Sequence, residues 1–159
     1  MNTLTPEARR QKALDVACRY LDRRERTVAE VQRYLESKRV EPDAIAGAIE
    51  ELRACGQLDD SRYARRFAED KRALEHWGSE RIERRLTALG VEPELIAAAL
   101  SDGAPGELET AVALLRRRFP TVPADERQRA RALGLLLRKG YELELAHDAI
   151  RAQAHAGAA

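Results

Sequence analysis

A repeated helical segment determines how this chain is expected to fold. Residues 31–49 read VQRYLESKRVEPDAIAGAI, and residues 82–100 read IERRLTALGVEPELIAAAL. The two segments align at a constant offset of 51 residues, and their apolar positions coincide. A weaker third copy lies 50 residues further on, where Gly140 falls on Gly90. A period of this length is typical of small structural units arranged in tandem.

Each copy of the repeat predicts three helices. In the first copy, Leu14 and Leu21 belong to an apolar series with helical spacing. Thr27 and Glu30 form a capping-box pair at the start of a second helix, where each side chain satisfies an unpaired backbone N–H. Pro42 suits the first turn of a third helix, because its missing N–H has no partner there in any case.

We therefore predict an all-α protein built from three tandem three-helix repeats, about nine helices in all. The modules are predicted at residues 9–56, 58–101 and 105–154. Residues 1–8 and 155–159 are expected to be frayed, and residues 101–106 (SDGAPG) are the clearest linker. A module of this size buries too little surface to be robust alone, so neighbours should stabilise one another in an elongated array. Whether the array is curved is left open.

The composition narrows the class of protein. Of the 159 residues, 44% are hydrophobic, only 4% are aromatic, and 28 basic groups nearly balance 27 acidic ones. Few aromatics and few turn residues argue against a β-sandwich or barrel. No apolar run is long enough to span a membrane, and the first residues do not have the pattern of a signal peptide. We expect a cytoplasmic protein.

The second module has the most distinctive pattern. Asp59 is expected to cap its first helix, and Tyr63, Phe67 and Leu74 are expected to line the inner face of that helix. The break at residues 77–79 (WGS) should separate this helix from the next.

Charge alternates with the repeat. Residues 92–110 carry 5 acidic groups and no basic ones, whereas residues 111–140 carry 8 basic and 2 acidic groups. First and second helices are basic, and third helices are mostly acidic. Solvated outer faces would explain any single residue, but the recurrence favours a shared basic face that binds a partner. Its densest points are Arg65, Arg66, Arg84, Arg85, Arg116, Arg117, Arg118, Arg138 and Lys139.

Residues that could support catalysis are few and scattered. There is no phosphate-binding loop, dinucleotide fingerprint or zinc-protease motif. Asp59 and Asp60 could form a metal or acid–base pair, but their place at a helix start favours capping. Cys18 and Cys55 are expected to be small core residues rather than a disulfide or ligands. The pattern predicts a binding protein with no cofactor, no metal site and no enzymatic activity.

Several segments resemble the RecX family of bacterial recombination regulators. Residues 56–64 (GQLDDSRYA) resemble that family's G-x-L-D-D-x-x-[FY]-A motif, and residues 77–91 are similar to its G-x-x-x-I-x-x-x-L-x-x-x-G-[IV] motif. Residues 17–27 are similar to a third family segment, and Arg39 departs from the family by replacing a frequent glycine. The matching positions are Gly56, Leu58, Asp59, Asp60, Tyr63, Ala64, Gly78, Ile82, Leu86 and Gly90.

The resemblance implies a function as well as a fold. It implies that the chain binds the RecA recombinase filament on single-stranded DNA and inhibits RecA's ATPase, strand-exchange and coprotease activities. The resemblance allows two modes of inhibition, which are binding in the filament groove and blocking of a growing filament end. The resemblance also implies three modules of three helices, and we expect a monomer that contacts single-stranded DNA within the filament.

Two alternatives follow from the residues alone. Three-helix units resemble helix-turn-helix modules, so the chain could be a stand-alone DNA-binding protein. The lack of Lys and Arg in residues 92–110 argues against this, because the third helix would enter the groove of DNA without positive charge. A helical adaptor that binds another protein is the second alternative, although the 51-residue period does not match the common helical repeats.

Overall fold

The computed structural model describes residues 4–102 and 106–157, and within these ranges it contains nine helices and no strand. The prediction of an all-α fold is therefore confirmed. The helices are α1 (Pro6–Leu21), α2 (Val28–Ser37), α3 (Pro42–Ala54), α4 (Asp60–Glu75), α5 (Ser79–Ala88), α6 (Pro93–Ser101), α7 (Glu107–Arg118), α8 (Glu126–Lys139) and α9 (Leu143–Ala156). Most of the predicted linker, residues 103–105, lies outside the described residues.

Consecutive triplets of helices each surround a separate small core. Helices α1–α3 enclose a cluster that includes Val31 and Leu35, α4–α6 one that includes Ile82 and Leu86, and α7–α9 one that includes Leu136. Extensive helix–helix packing occurs within these triplets. Many of the buried positions are alanines, which allow the helices to approach closely but add little apolar area. The stability of the array must therefore depend in part on the contacts between modules.

The shape agrees with the predicted elongated array. The protein exposes 10368 Å² of accessible surface. A compact protein of its mass of 17.8 kDa exposes about 8,000 Å². The larger value is expected when three small cores follow one another instead of merging into one.

Side-chain caps fix where four of the helices begin. The side chains of Thr5, Thr27, Asp59 and Asp125 each accept a hydrogen bond from the backbone N–H three residues further along. The capping box of Thr27 is complete, since the Glu30 side chain also accepts from the Thr27 N–H. Pro residues stand at the starts of α1, α3 and α6, where the lost N–H has no helical partner.

The described residues near both chain ends are more helical than the predicted fraying of residues 1–8 and 155–159 implies. Helix α1 begins at Pro6 because Thr5 caps it, so part of the segment 1–8 is helical. Helix α9 extends to Ala156, so the segment 155–159 also begins as helix. Residues 1–3 and 158–159 lie outside the described part of the chain.

The inner face of α4 also differs from the prediction. Ala64 and Ala68 are fully buried there, and Tyr63 and Phe67 pack against them, but Leu74 is 78% exposed. Leu74 lies seven residues after Phe67 and therefore shares its helical face, but it stands in the last turn of α4, where that face is exposed. The Trp77 ring packs into this core instead.

The second helix of every module ends in the same way. Arg39, Gly90 and Gly140 follow α2, α5 and α8 with positive φ angles of 57°, 82° and 93°. The N–H of the residue after each one bonds back to a carbonyl near the helix end, at 3.2, 3.1 and 3.1 Å respectively. This is the Schellman arrangement, in which glycine is favoured because it has no Cβ. Arg39 adopts the same conformation at a cost that glycine would avoid.

We expect Arg39→Gly to stabilise the protein by about 1 kcal/mol, because it removes the left-handed strain of a residue with a side chain. Urea unfolding followed by circular dichroism measures the change. Lys38→Gly is the matched control, since Lys38 is the adjacent exposed residue and has a φ of −87°. The control should lose stability, and a gain of equal size in both variants would contradict the explanation.

Candidate functional site: module junctions and basic residues

The first junction joins the start of α2 to the second module. The Thr27 hydroxyl is buried and donates to the Leu89 carbonyl over 2.6 Å. The Val28 N–H donates to the Asp60 carboxylate over 3.0 Å. Gly90 lies so close to Ala29 that a Cβ at residue 90 would overlap the Ala29 side chain. The amino-terminal end of α2 is therefore docked against the end of α5 and the start of α4.

The second junction repeats this arrangement one module further along. The Gly78 N–H donates to the Lys139 carbonyl over 2.8 Å, and the Ser79 N–H donates to the Glu107 carboxylate over 2.7 Å. The Ser79 hydroxyl also donates to Glu107. A Cβ at Gly140 would overlap Arg81. Gly78 and Ser79 are the residues that lie 51 positions after Thr27 and Val28, so the two junctions are equivalent.

A buried tyrosine adds a further contact to the second junction. Tyr141 is fully buried in the third core, and its hydroxyl donates to the His76 carbonyl over 2.8 Å. Burial raises the pKa of the Tyr141 phenol, so the group stays protonated and remains a donor. His76 presents that carbonyl from a left-handed turn with a φ of 54° at the end of α4.

The family-like segment at residues 56–64 has structural roles at the first junction. Leu58 is 2% exposed and packs into the core of the first module. Asp59 caps α4, as predicted, but Asp60 accepts from the preceding module and is not only a helix-start residue. Gly56 has a positive φ of 77° after α3, and Ala64 is fully buried. These residues position one module against the next.

Burial raises the pKa of Asp60, although the hydrogen bond from Val28 opposes the shift. A folded-state pKa above the usual value means that the folded protein binds a proton more readily than the unfolded chain. The contribution of the Asp60 carboxyl to stability is therefore largest at low pH and declines as pH rises through the raised pKa.

We expect the stability of the wild type relative to Asp60→Asn to fall as pH rises above 3.8, the usual aspartate pKa. The variant keeps an oxygen acceptor for the Val28 N–H but does not ionise. Urea unfolding at several pH values between acid and neutral tests this. Asp60→Ala removes the acceptor and should be the least stable of the three proteins. A constant difference between wild type and Asp60→Asn would contradict the assigned pKa direction.

The glycines at the junctions allow a second test with a close control. Gly140 and Gly56 both have positive φ, but only Gly140 faces a neighbouring backbone, and a Cβ at Gly56 would meet nothing. Both Ala substitutions place a Cβ in the left-handed region, which destabilises each variant. The difference between their free energies of unfolding therefore reports the steric contact. We expect Gly140→Ala to cost about 1–3 kcal/mol more than Gly56→Ala in urea unfolding, because it overpacks the junction. Equal losses of stability in the two variants would show that the junction rearranges around the added methyl group without a further cost.

The basic residues predicted to share a face have different environments. Arg66 forms an ion pair with Glu25 across the first junction at 2.9 Å, and Arg62 contacts the same carboxylate at 3.5 Å. Lys139 is half-buried, and its ammonium donates to the Glu75 carbonyl across the second junction. Arg66 and Lys139 therefore contribute to junctions.

The remaining predicted basic residues are exposed. Arg65 lies beside Glu69 and Asp102 in a surface hollow of mixed charge. Arg118 and Arg138 are brought together, since they line one groove between α7 and α8. The same groove contains Arg127 and Arg131, which the sequence reasoning missed because they are not part of an arginine doublet. Their spacing of four residues on one helix was the available signal. The exposed residues are Arg65, Arg84, Arg85, Arg116, Arg117, Arg118 and Arg138.

Within residues 4–102 and 106–157, no group of three or more His, Cys, Asp or Glu side chains could hold a metal ion. No helix in the described part of the chain is long and apolar enough to cross a membrane. Cys18 and Cys55 are both free thiols, and Cys55 is exposed, so the expectation that both are core residues is wrong for Cys55. Cys55 follows the last turn of α3, outside the buried stripe of that helix.

Equivalent junctions, separate cores and exposed arginines define a tandem array of three-helix modules. Three family models match this chain in order: "RecX, first three-helix domain" at residues 13–52, "RecX, second three-helix domain" at residues 59–100, and "RecX, third three-helix domain" at residues 106–150. The chain belongs to the RecX family.

Similar proteins agree with this assignment. "Regulatory protein RecX" of Trichlorobacter lovleyi is 39% identical over 134 residues, which are 81% of this chain and 87% of that protein. "Regulatory protein RecX" of Leptothrix cholodnii is 32% identical over 139 residues, 87% of each chain. The crystal structure of RecX from Lactobacillus salivarius has the same fold, with a TM-score of 0.81 and 23% identity over 91% of this chain and 96% of that one.

Proposed function

We propose that this protein regulates the RecA recombinase by binding the RecA filament on single-stranded DNA. In this proposal it inhibits the ATPase, strand-exchange and coprotease activities of RecA. The observation that supports it most is the ordered match of all three RecX domains over residues 13–150. The protein acts by binding, without catalysis or cofactor, as a monomer in the cytoplasm.

The geometry of the junctions supports binding to a polymer. Two equivalent junctions place successive modules in related orientations, because each uses the start of a second helix, a carboxylate and a left-handed glycine. A repeating array can contact successive subunits of a filament with similar surfaces. Several weak contacts then combine through effective concentration, so no single module needs high affinity.

A titration of RecA's DNA-dependent ATP hydrolysis tests the function. We expect hydrolysis to fall at protein concentrations that leave bare single-stranded DNA uncovered, as measured in parallel by fluorescence anisotropy. Binding along the filament groove requires near-stoichiometric protein, whereas blocking an end requires far less than one molecule per RecA subunit. Hydrolysis that falls only when the DNA is coated would support stand-alone DNA binding instead, and no effect would refute the proposal.

The exposed pair Arg84 and Arg85 provides a more local test. Arg84→Glu with Arg85→Glu should weaken inhibition, because α5 would then present negative charge to the filament. Both side chains are exposed, so the melting temperature should change little. Arg19→Glu with Arg23→Glu makes the same change in net charge at exposed residues of the first module. Equal loss of inhibition in both variants would show that only total charge matters.

A further inference from the structure

The third module contains a groove whose charged lining is entirely basic. The groove has a volume of about 550 Å³ and lies between the end of α7 and one face of α8. Its lining includes the side chains of Arg118, Arg127, Arg131 and Arg138, together with Phe119. No acidic residue lines it. We call it the arginine groove.

The helical register of α8 explains why these charges share one face. Arg127, Arg131, Gly134 and Arg138 follow one another at intervals of four, three and four residues, so they form a stripe along the helix. Gly134 lines the groove between two of the arginines and contributes no side chain, and the Arg138 guanidinium lies close above it. Ala132, Leu135 and Leu136 occupy the adjacent buried face and hold the helix in place.

The groove arginines lack the carboxylate partners that four arginines of the first two modules have. Arg10, Arg24, Arg62 and Arg66 all form ion pairs with glutamates. Among the residues that the structure describes, no ion pair involves any of the four groove arginines. Four like charges around one concavity repel one another and focus a positive potential into it. A bound polyanion would relieve that repulsion.

We propose that the arginine groove binds the phosphate backbone of single-stranded DNA. Guanidinium groups contact phosphate oxygens bidentately, which a single row of ammonium groups would not do. Phe119 is half-buried in the lining and supplies an aromatic surface for an unpaired base, as in other proteins that bind single strands. An acidic protein segment would use the charges but would leave the aromatic side chain without a stacking partner.

The proposal deepens the proposed function and rests on it, because it assigns the DNA contact within the filament to one module. It also differs from helix-turn-helix binding. The contact uses the side of α8 and α7 against a flexible strand, and no helix enters a duplex groove. Residues 92–110, which lack basic groups, have no part in it.

The test compares two variants of the full chain with the same charge change. Arg127→Glu with Arg131→Glu alters two groove residues of α8. Arg116→Glu with Arg129→Glu alters one residue of α7 and one of α8, neither of which lines the groove. Binding to a fluorescein-labelled thymidine oligonucleotide is measured by anisotropy at several salt concentrations. Circular dichroism melting checks that both variants are folded.

We expect the groove variant to bind the oligonucleotide at least about tenfold more weakly, and the control to change about threefold or less. The slope of log affinity against log salt should fall by about 1.4 in the groove variant, since each lost contact to a single-stranded phosphate contributes about 0.7. Equal losses in the two variants, or no loss in either, would overturn the proposal.

Two further measurements separate the possible failures. If the groove variant loses binding to polyglutamate but keeps binding to the oligonucleotide, the occupant is an acidic protein segment and the proposal is wrong. RecA ATP hydrolysis is measured with the wild type and both variants. A wild type that binds DNA through the groove without affecting RecA would refute the proposed function alone. Full RecA inhibition with unaltered oligonucleotide binding by the groove variant would refute the groove alone.

Discussion

The array depends on unsatisfied backbone donors at the starts of two helices. The first N–H groups of any helix lack an internal partner, and the helix dipole makes them favourable sites for a carboxylate. In α2 and α5 that carboxylate comes from the following module, through Asp60 and Glu107. Each small module therefore completes the capping of its predecessor. These hydrogen bonds, of 3.0 and 2.7 Å, are directional, so they help to fix the orientation of neighbouring modules.

The glycines at the ends of the second helices meet two separate requirements. Gly90 and Gly140 provide a left-handed turn, and they also leave room for the preceding module, which lies against the missing Cβ. Arg39 meets only the first requirement, because within the described residues no other module lies against it. Its side chain is exposed, so the strain of its positive φ is the only penalty. Arg39 thus replaces the glycine of the repeat at the position where no other module within the described residues docks.

Repetition and capping patterns were sufficient to predict the fold, because they depend on residues close in sequence. The capping box at Thr27 occurs where local rules place it, and the predicted break at residues 77–79 is found one residue earlier, at residues 76–78. The junctions were not predictable in this way. Val28 bonds to a residue 32 positions later and Ser79 to one 28 positions later, so no fixed offset reveals both acceptors. The sequence groups Arg66 with the predicted basic face but does not show its partner Glu25, which lies 41 positions away.

Positive charge is used differently at the first junction and in the arginine groove. Glu25 neutralises Arg62 and Arg66 where the first two modules meet, so positive charge there is used within the molecule. In the third module, the stripe of arginines on α8 has no acidic partner within the described residues. The positive charge of that stripe is therefore free to attract a polyanion. In our proposal, a single strand of nucleic acid held there would orient the remaining modules along the filament. Equivalent junctions would then carry that orientation from module to module, so a contact confined to α7 and α8 would set the placement of the whole chain.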